Sequence, residues 1–238
     1  MTTTSTIDRT VIERIVREFV DRAAPAEAPL PAAVSSTPEL RVSVSARHVH
    51  LSDAHVEQLF GPGSVLTPMK PLFQDGFYAA EQTVMVVGPR RRTLPNVRVL
   101  GPTRSFSQVE LALSDAIQLG IETPIRHSGR IEGTPGCVLV GPVGVVHLDQ
   151  GVIRAARHVH INSRDCDYYG VADGDMMKLR IVSADCTMVM EDVLVRADET
   201  SKLEVHIDTD EGNACNLSAA TEMELLVAGN ACGCHTEA

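Results

Sequence analysis

Ala46-Arg47-His48-Val49-His50-Leu51 and Ala156-Arg157-His158-Val159-His160-Ile161 are one phrase written twice, and the pair decides how this chain is read. Four of the nine histidines stand in it. Side chains alternate across a β-strand, so His-x-His sets both imidazoles on one face and turns Val49 or Val159 the other way, toward a core. Two imidazoles held that closely form a bidentate claw suited to zinc and its first-row neighbours. One His-x-His is a weak signal, since such pairs also occur as ordinary hydrogen-bonded histidines. Repeated in matching context, it points to a duplicated chain with a metal-binding face in each half.

Around the phrase, strands dominate. Leu40–Ser45, Thr83–Val87, Val97–Leu100, Cys137–Val140, Met177–Ile181, Thr187–Met190, Val193–Val195 and Leu203–Ile207 are predicted strands, separated by Gly, Pro, Asp and Asn turns. Two helices interrupt them. One covers Asp53–Phe60 and stops at Gly61. The other is predicted over Ser107–Leu119 with Gly120 as its C-cap, opening on a Ser107-x-x-Glu110 capping box with Phe106 and Leu111 as a staple. Many short strands in a duplicated chain predict a mainly β protein with short helices (α+β), built as two small tandem β-barrel domains at 39–154 and 155–238. Residues 5–23 read as an amphipathic helix, with Ile7, Val11, Ile15, Phe19 and neighbours on one stripe. The division of the chain is then 1–23 for this helix and 24–38 for a Pro/Ala-rich linker. Such a helix either docks on its own body or a sister subunit, or serves as a detachable tag for a partner.

Bulk properties narrow the function classes. The 238 residues are 44% hydrophobic and 22% charged, as expected of a soluble globular protein. No apolar run approaches the ~18 residues of a membrane span, and no signal-peptide core opens the chain. A net charge of −10, no Trp and 3% aromatic residues argue against nucleic acid as a partner. Six cysteines without framework spacing suggest free thiols in a reducing compartment. Arginines nonetheless crowd the middle of the chain, from Arg90-Arg91-Arg92 to Arg157, and could hold a small polyanion.

Several single residues carry two readings. Glu110 either closes the capping box or, leaning to the apolar face with Leu113 and Ile117, reaches a cation. Arg104, just before the predicted helix, is either a loop arginine or an anion ligand beside orphan helix amides. His206 is either a structural strand histidine or a ligand. The acidic turn at Asp208–Glu211 is a simple turn, a support for His206 or a calcium-like loop, the last disfavoured by the incomplete pattern. Cys232 and Cys234 lie near the end, where fraying is the default. There is no P-loop, no Gly-x-Gly-x-x-Gly, no Gly-x-Ser-x-Gly elbow and no His-Glu-x-x-His.

Taken together, five stretches resemble a known family, the phosphate propanoyltransferases (PduL-type phosphotransacylases) of bacterial microcompartments. They are Ser45–Ser52, Gly101–Arg104 with Gln108–Glu110, Ser128–Gly136, Ala155–His160 and His206–Ala214, in that order. The resemblance implies two β-barrels with the active site between them and a dinuclear zinc centre. His48, His50 and Glu110 would hold one ion, and His158, His160 and His206 the other. Arg104 would bind phosphate. The implied reaction moves propanoyl or acetyl between coenzyme A and phosphate. The N-terminal helix resembles the family's encapsulation peptides, implying packaging with shell or lumen proteins inside a microcompartment; a homo-oligomer is also expected. No protein nucleophile is needed if phosphate attacks the thioester directly, which agrees with the lack of a Ser-His or Cys-His signature. Two alternatives share the ligands: a dinuclear zinc hydrolase of a thioester or phosphoester, and a non-enzymatic metal-binding scaffold. Imidazole sites also accept cobalt or nickel.

Overall fold

A computed structural model describes residues 37–228. The predicted helix at 5–23, most of the linker, and Cys232 and Cys234 lie outside the described residues. The fold is mainly strand with a few short helices, arranged as two curled half-barrel sheets. No helix among the described residues is long and apolar enough to cross a membrane.

The first sheet is built on β2 (His48–His50), which lies parallel to β5 (Thr93–Gly101) and antiparallel to β6 (Gln108–Glu110). The second is built in the same way on β11 (His158–Ile161), parallel to β13 (Met188–Ala197) and antiparallel to β14 (Glu204–Asp208). Each His-x-His strand runs into a helix, α1 (Asp53–Phe60) or α3 (Ser163–Tyr169). Each sheet is extended by a hairpin: β4 (Tyr78–Val87) with β5, and β12 (Met176–Ser183) with β13. The first sheet continues from β4 to β8 (Cys137–Val140) and β9 (Val145–Leu148), with β3 (Pro68–Pro71) beside β4. The second ends on β15 (Ala220–Val227), beside β12. Val49 and Val159 are fully buried in two separate apolar clusters, so the alternation read from the sequence points the valines inward as expected.

The two sheets exchange strands. β1 (Arg41–Ser45) immediately precedes β2, yet it pairs in parallel with β14 of the second sheet. β10 (Val152–Ala155) precedes β11, yet it pairs in parallel with β6 of the first, and with β7 (Ile125–Arg126) on its other side. A boundary drawn at 154 and 155 therefore does not separate the sheets: residues 41–45, assigned by that division to the first barrel, belong to the second sheet. The chain crosses the seam at Ala46-Arg47 and at Ala156-Arg157, and each crossing delivers a His-x-His directly.

Ion pairs gather at the crossings. Arg47 meets Asp115 on α2 (Leu113–Leu119) at 2.8 Å, and Arg157 meets Glu211 on α4 (Thr209–Ala214) at 2.7 Å. Arg154 adds Asp208 at 2.7 Å and Glu211 at 3.2 Å. The acidic turn at Asp208–Glu211 is the capping box that opens α4, not a calcium loop. Asp210 reaches across to α2, taking Ser114 N at 2.8 Å and Ser114 Oγ at 2.7 Å, and so supplies a cap that Ala112 cannot.

The helix predicted over Ser107–Leu119 is shorter. Its first residues form β6, and α2 begins at Leu113, though Gly120 does close it in the left-handed conformation at φ 77°. Ser107 makes no capping box. Its Oγ takes Ser52 N at 3.0 Å and contacts His55 Nδ1 at 2.6 Å, fastening the start of α1 to β6. The reason is tertiary. β6 is sandwiched between β2 and β10, and that non-local pairing outweighs a local cap. The two strands predicted at 187–190 and 193–195 are one, β13, in which Asp192 adopts φ 59°.

Ile153 is fully buried on β10 and sits in register with Glu110. Ile153→Ala should cost about 2–5 kcal/mol through the cavity it leaves. The shift of the urea midpoint at constant slope measures it.

Candidate active site

The exchange places two trios of side chains at the seam. In the first, His48 and Glu110 lie directly opposite each other on β2 and β6, and His50 lies two residues along from His48 on the same face. All three are buried. Their donor atoms lie within 4.8 Å of one another, and among the described residues this is the one group of three His, Cys, Asp or Glu side chains so gathered. His48 Nε2 is 3.4 Å from Glu110 Oε2.

In the second trio, His158 and His206 lie opposite each other on β11 and β14, with His160 on the same face. The His158 and His206 rings stack at 5.0 Å between centroids, and His160 stands edge-on to both at 5.0 and 5.1 Å. This trio is assembled but looser than the first. A small cavity touches both trios, lined by Glu110, His158 and His206 together with Ser45, Ala155 and Ala156.

Each crossing also orients its first histidine. His48 Nδ1 donates to the Ala46 carbonyl at 2.8 Å, and His158 Nδ1 donates to the Ala156 carbonyl at 2.9 Å. For His158, which burial keeps neutral, the proton held on Nδ1 leaves the Nε2 lone pair free, as a metal ligand requires, whereas His48 Nε2 faces the Glu110 carboxylate. His50 Nδ1 is buried with no hydrogen-bond partner among the described residues, an orphaned atom of the kind that a bound group explains.

The electrostatics agree. Burial, then the charges of His48 and Arg104, push His50 down to about 3. Burial, then His206, pushes His158 to about 3, and burial with His206 and Arg196 pushes His160 to about 4. These imidazoles are neutral, the form that binds a metal. His48 and Glu110 behave as a pair. Burial alone would lower the imidazole and raise the carboxyl, but their mutual attraction wins and holds His48 above and Glu110 below its usual range. Two imidazoles with a carboxylate, and three imidazoles, are donor sets that fit zinc, cobalt or nickel.

Arg104 is half-buried at the same seam. Its amide donates to Leu51 O at 2.9 Å and its Nη1 donates to Ser128 Oγ at 3.1 Å. Burial lowers its pKa while the Glu110 charge opposes that effect. Arg196 lies close enough to lower it further, and lowers His158 and His160 as well. Arg196, in register with His160 on β13, is a site residue that sequence reasoning missed. So are Gln108, which donates to Glu110 Oε1 at 2.6 Å, and Ser128, which donates to the same oxygen at 2.9 Å. Arg104 acts on His50, and Arg196 on His158 and His160, so two cations stand beside neutral imidazoles where a small anion could pair with them. Among the described residues the cysteines are free and three are buried; burial pushes Cys137 up to about 12, far from a reactive thiolate.

The depressed imidazoles make the metal-free protein acid-sensitive. The unfolded chain takes up protons below about 6.5 at positions where the folded chain refuses them until about 3 to 4. Stability from these groups is present above 6.5 and lost as pH falls toward 4. Glu110, held low, acts in the same direction; His48, held high, acts against it as one group against three. In chelator, the Tm should fall steadily from pH 7 to pH 4. A flat profile would contradict neutral buried imidazoles.

Comparison with known proteins agrees with the geometry. Residues 41–218 match the family model described as phosphate propanoyltransferase. The chain is 56% identical over 235 residues to a phosphate propanoyltransferase of Planctopirus limnophila, covering 97% of this chain and 96% of that one. It is 50% identical over 181 residues to that of Thermotoga maritima, covering 76% and 86% of the two chains. It is 42% identical over 208 residues to that of Salmonella typhimurium, covering 87% and 92%. The chain belongs to the phosphate propanoyltransferase family and is a transferase.

Proposed function

We propose that the seam binds acyl-CoA and inorganic phosphate together and transfers a short acyl group, propanoyl or acetyl, directly between them, on two zinc ions held by the two trios. The observation that carries this reading is that Glu110 of one trio and His158 and His206 of the other line one small cavity, with Arg104 close enough to interact with the Glu110 charge and Arg196 with His158. When bound, the ions would supply Lewis acidity for the thioester carbonyl and charge neutralisation for the departing thiolate. Arg104 would hold phosphate by charge-assisted hydrogen bonds and align it for attack. Ser128, which Arg104 contacts, keeps that guanidinium in place. In the transfer a phosphate oxygen bonds to the carbonyl carbon, the carbon–sulfur bond breaks and coenzyme A leaves as its thiolate. No residue of the chain needs to carry the acyl group.

Elemental analysis of the purified protein should give two metal ions per chain, and chelation should abolish activity that zinc or cobalt restores. Arg104→Ala should keep its metal and its fold but lose about 10²-fold in kcat/KM for phosphate. Coenzyme A release that needs no phosphate would favour the hydrolase instead, and an acyl-enzyme formed from acyl-CoA alone would rule out direct transfer. An unchanged Arg104→Ala rate would remove the arginine from the site.

We further propose that residues 1–35 direct the chain into a microcompartment lumen and promote self-association, as an exposed apolar stripe would. Deleting them should leave catalysis intact while abolishing co-purification with shells. A truncated protein that is still packaged overturns this.

A further inference from the structure

Each centre is a square, not a triangle. On the first sheet His48 faces Glu110, and His50 faces Gln108. On the second sheet His158 faces His206, and His160 faces Glu204. Three corners of each square are a trio; Gln108 and Glu204 are the fourth corners, in equivalent positions.

The fourth corners differ in a way the trios explain. Gln108 is fully buried, and its amide donates to the Glu110 carboxylate at 2.6 Å. A carboxylate needs a donor, and an amide is one. In the second square the residue equivalent to Glu110 is His206, which has no negative charge and needs an acceptor. There the fourth corner is Glu204, 3% exposed. Glu204 Oε2 lies 3.0 Å from His206 Nε2. That nitrogen is buried and has no other polar partner among the described residues. The carboxylate is itself fixed, by Ser43 Oγ at 2.5 Å and Gln74 Nε2 at 2.9 Å, with Arg41 Nε at 3.7 Å. Ser43 belongs to the exchanged strand β1, and Gln74 to the chain between β3 and β4, so the first half of the sequence holds the carboxylate in place.

We propose that Glu204 is a positioning residue of the second centre: it orients His206 and supplies the negative charge that three imidazoles lack. This rests on the reading of the second trio as a metal site. Carboxylates that orient metal-binding histidines are a general device. With Glu204, both squares hold two histidines of the repeated phrase and one anion, placed in the trio in one case and behind it in the other.

Cobalt titration of the metal-stripped full chain tests this, followed by equilibrium dialysis and by the visible absorption of bound cobalt. Wild type should take up two ions. Glu204→Gln should bind one ion as wild type does and the other about 10–100-fold more weakly. In a His206→Ala background the same change should have no further effect, because Glu204 acts through His206. Wild-type affinity at both centres in Glu204→Gln would overturn the proposal. Equal losses at both would overturn it as well, marking a disturbance of the fold, and a further loss beyond His206→Ala would make Glu204 a direct ligand. If Glu204→Gln does not fold, Glu204→Asp keeps the charge and shortens its reach, and wild-type affinity at the second centre would then be the overturning result. A wild-type chain that takes up fewer than two ions refutes the two-metal reading itself, and this inference with it.

Discussion

Two hydrogen bonds, from His48 Nδ1 to the Ala46 carbonyl and from His158 Nδ1 to the Ala156 carbonyl, stand where the chain crosses from one sheet to the other. Everything at the site depends on those crossings. Because β1 and β10 are lent to the opposite sheets, only two residues separate each lent strand from its His-x-His. So short a link leaves the histidines no place but the seam. The arginine of each link then pairs with the helix that follows the facing strand, Asp115 in one half and Glu211 in the other. The repeated phrase is thus a joint: Ala supplies the carbonyl, Arg the tether, the histidines the ligands and Val the anchor in the core.

The seam is costly to bury. Neutral imidazoles packed together, and a carboxylate with few exposed atoms, are stable only if their lone pairs and charge find partners. Glu110 has Gln108, Ser128 and His48, whereas His50 Nδ1 and His206 Nε2 find no hydrogen bond among the described residues. Such incompletely satisfied groups are tolerated where function needs them, at some expense of stability.

Much of this was legible in the chain because it is local. Alternation alone places Val49 and Val159 inside and the histidines on one face. Helix α1 was readable as Asp53–Phe60 stopping at Gly61, and its caps, Ser52 and Gly61, are local. Ser107-x-x-Glu110 misled for the complementary reason. As a local pattern it is a good capping box, but partners far away in sequence claim both residues: the start of α1 takes Ser107, and β2 and β10 take Glu110. The same non-local pairing hid the exchange of β1 and β10, since nothing in a short strand announces its neighbour. Arg196, Ser128 and Glu204 were missed because their importance lies in what they face. One signal was available: Gln108-x-Glu110 and Glu204-x-His206 have the same spacing, each after a His-x-His.

The reciprocal loan of strands also constrains how such a molecule could be divided or could have arisen. Neither half owns all the strands of its own sheet, so neither is a self-sufficient piece. A polypeptide of half this length, bearing the phrase once, could complete the architecture only by embracing a second copy, each arm inserted into the other body. Such a pair would have carried two identical trios. Joining the copies into one chain is what allows Glu110 to stand on one side of the cleft and His206 on the other.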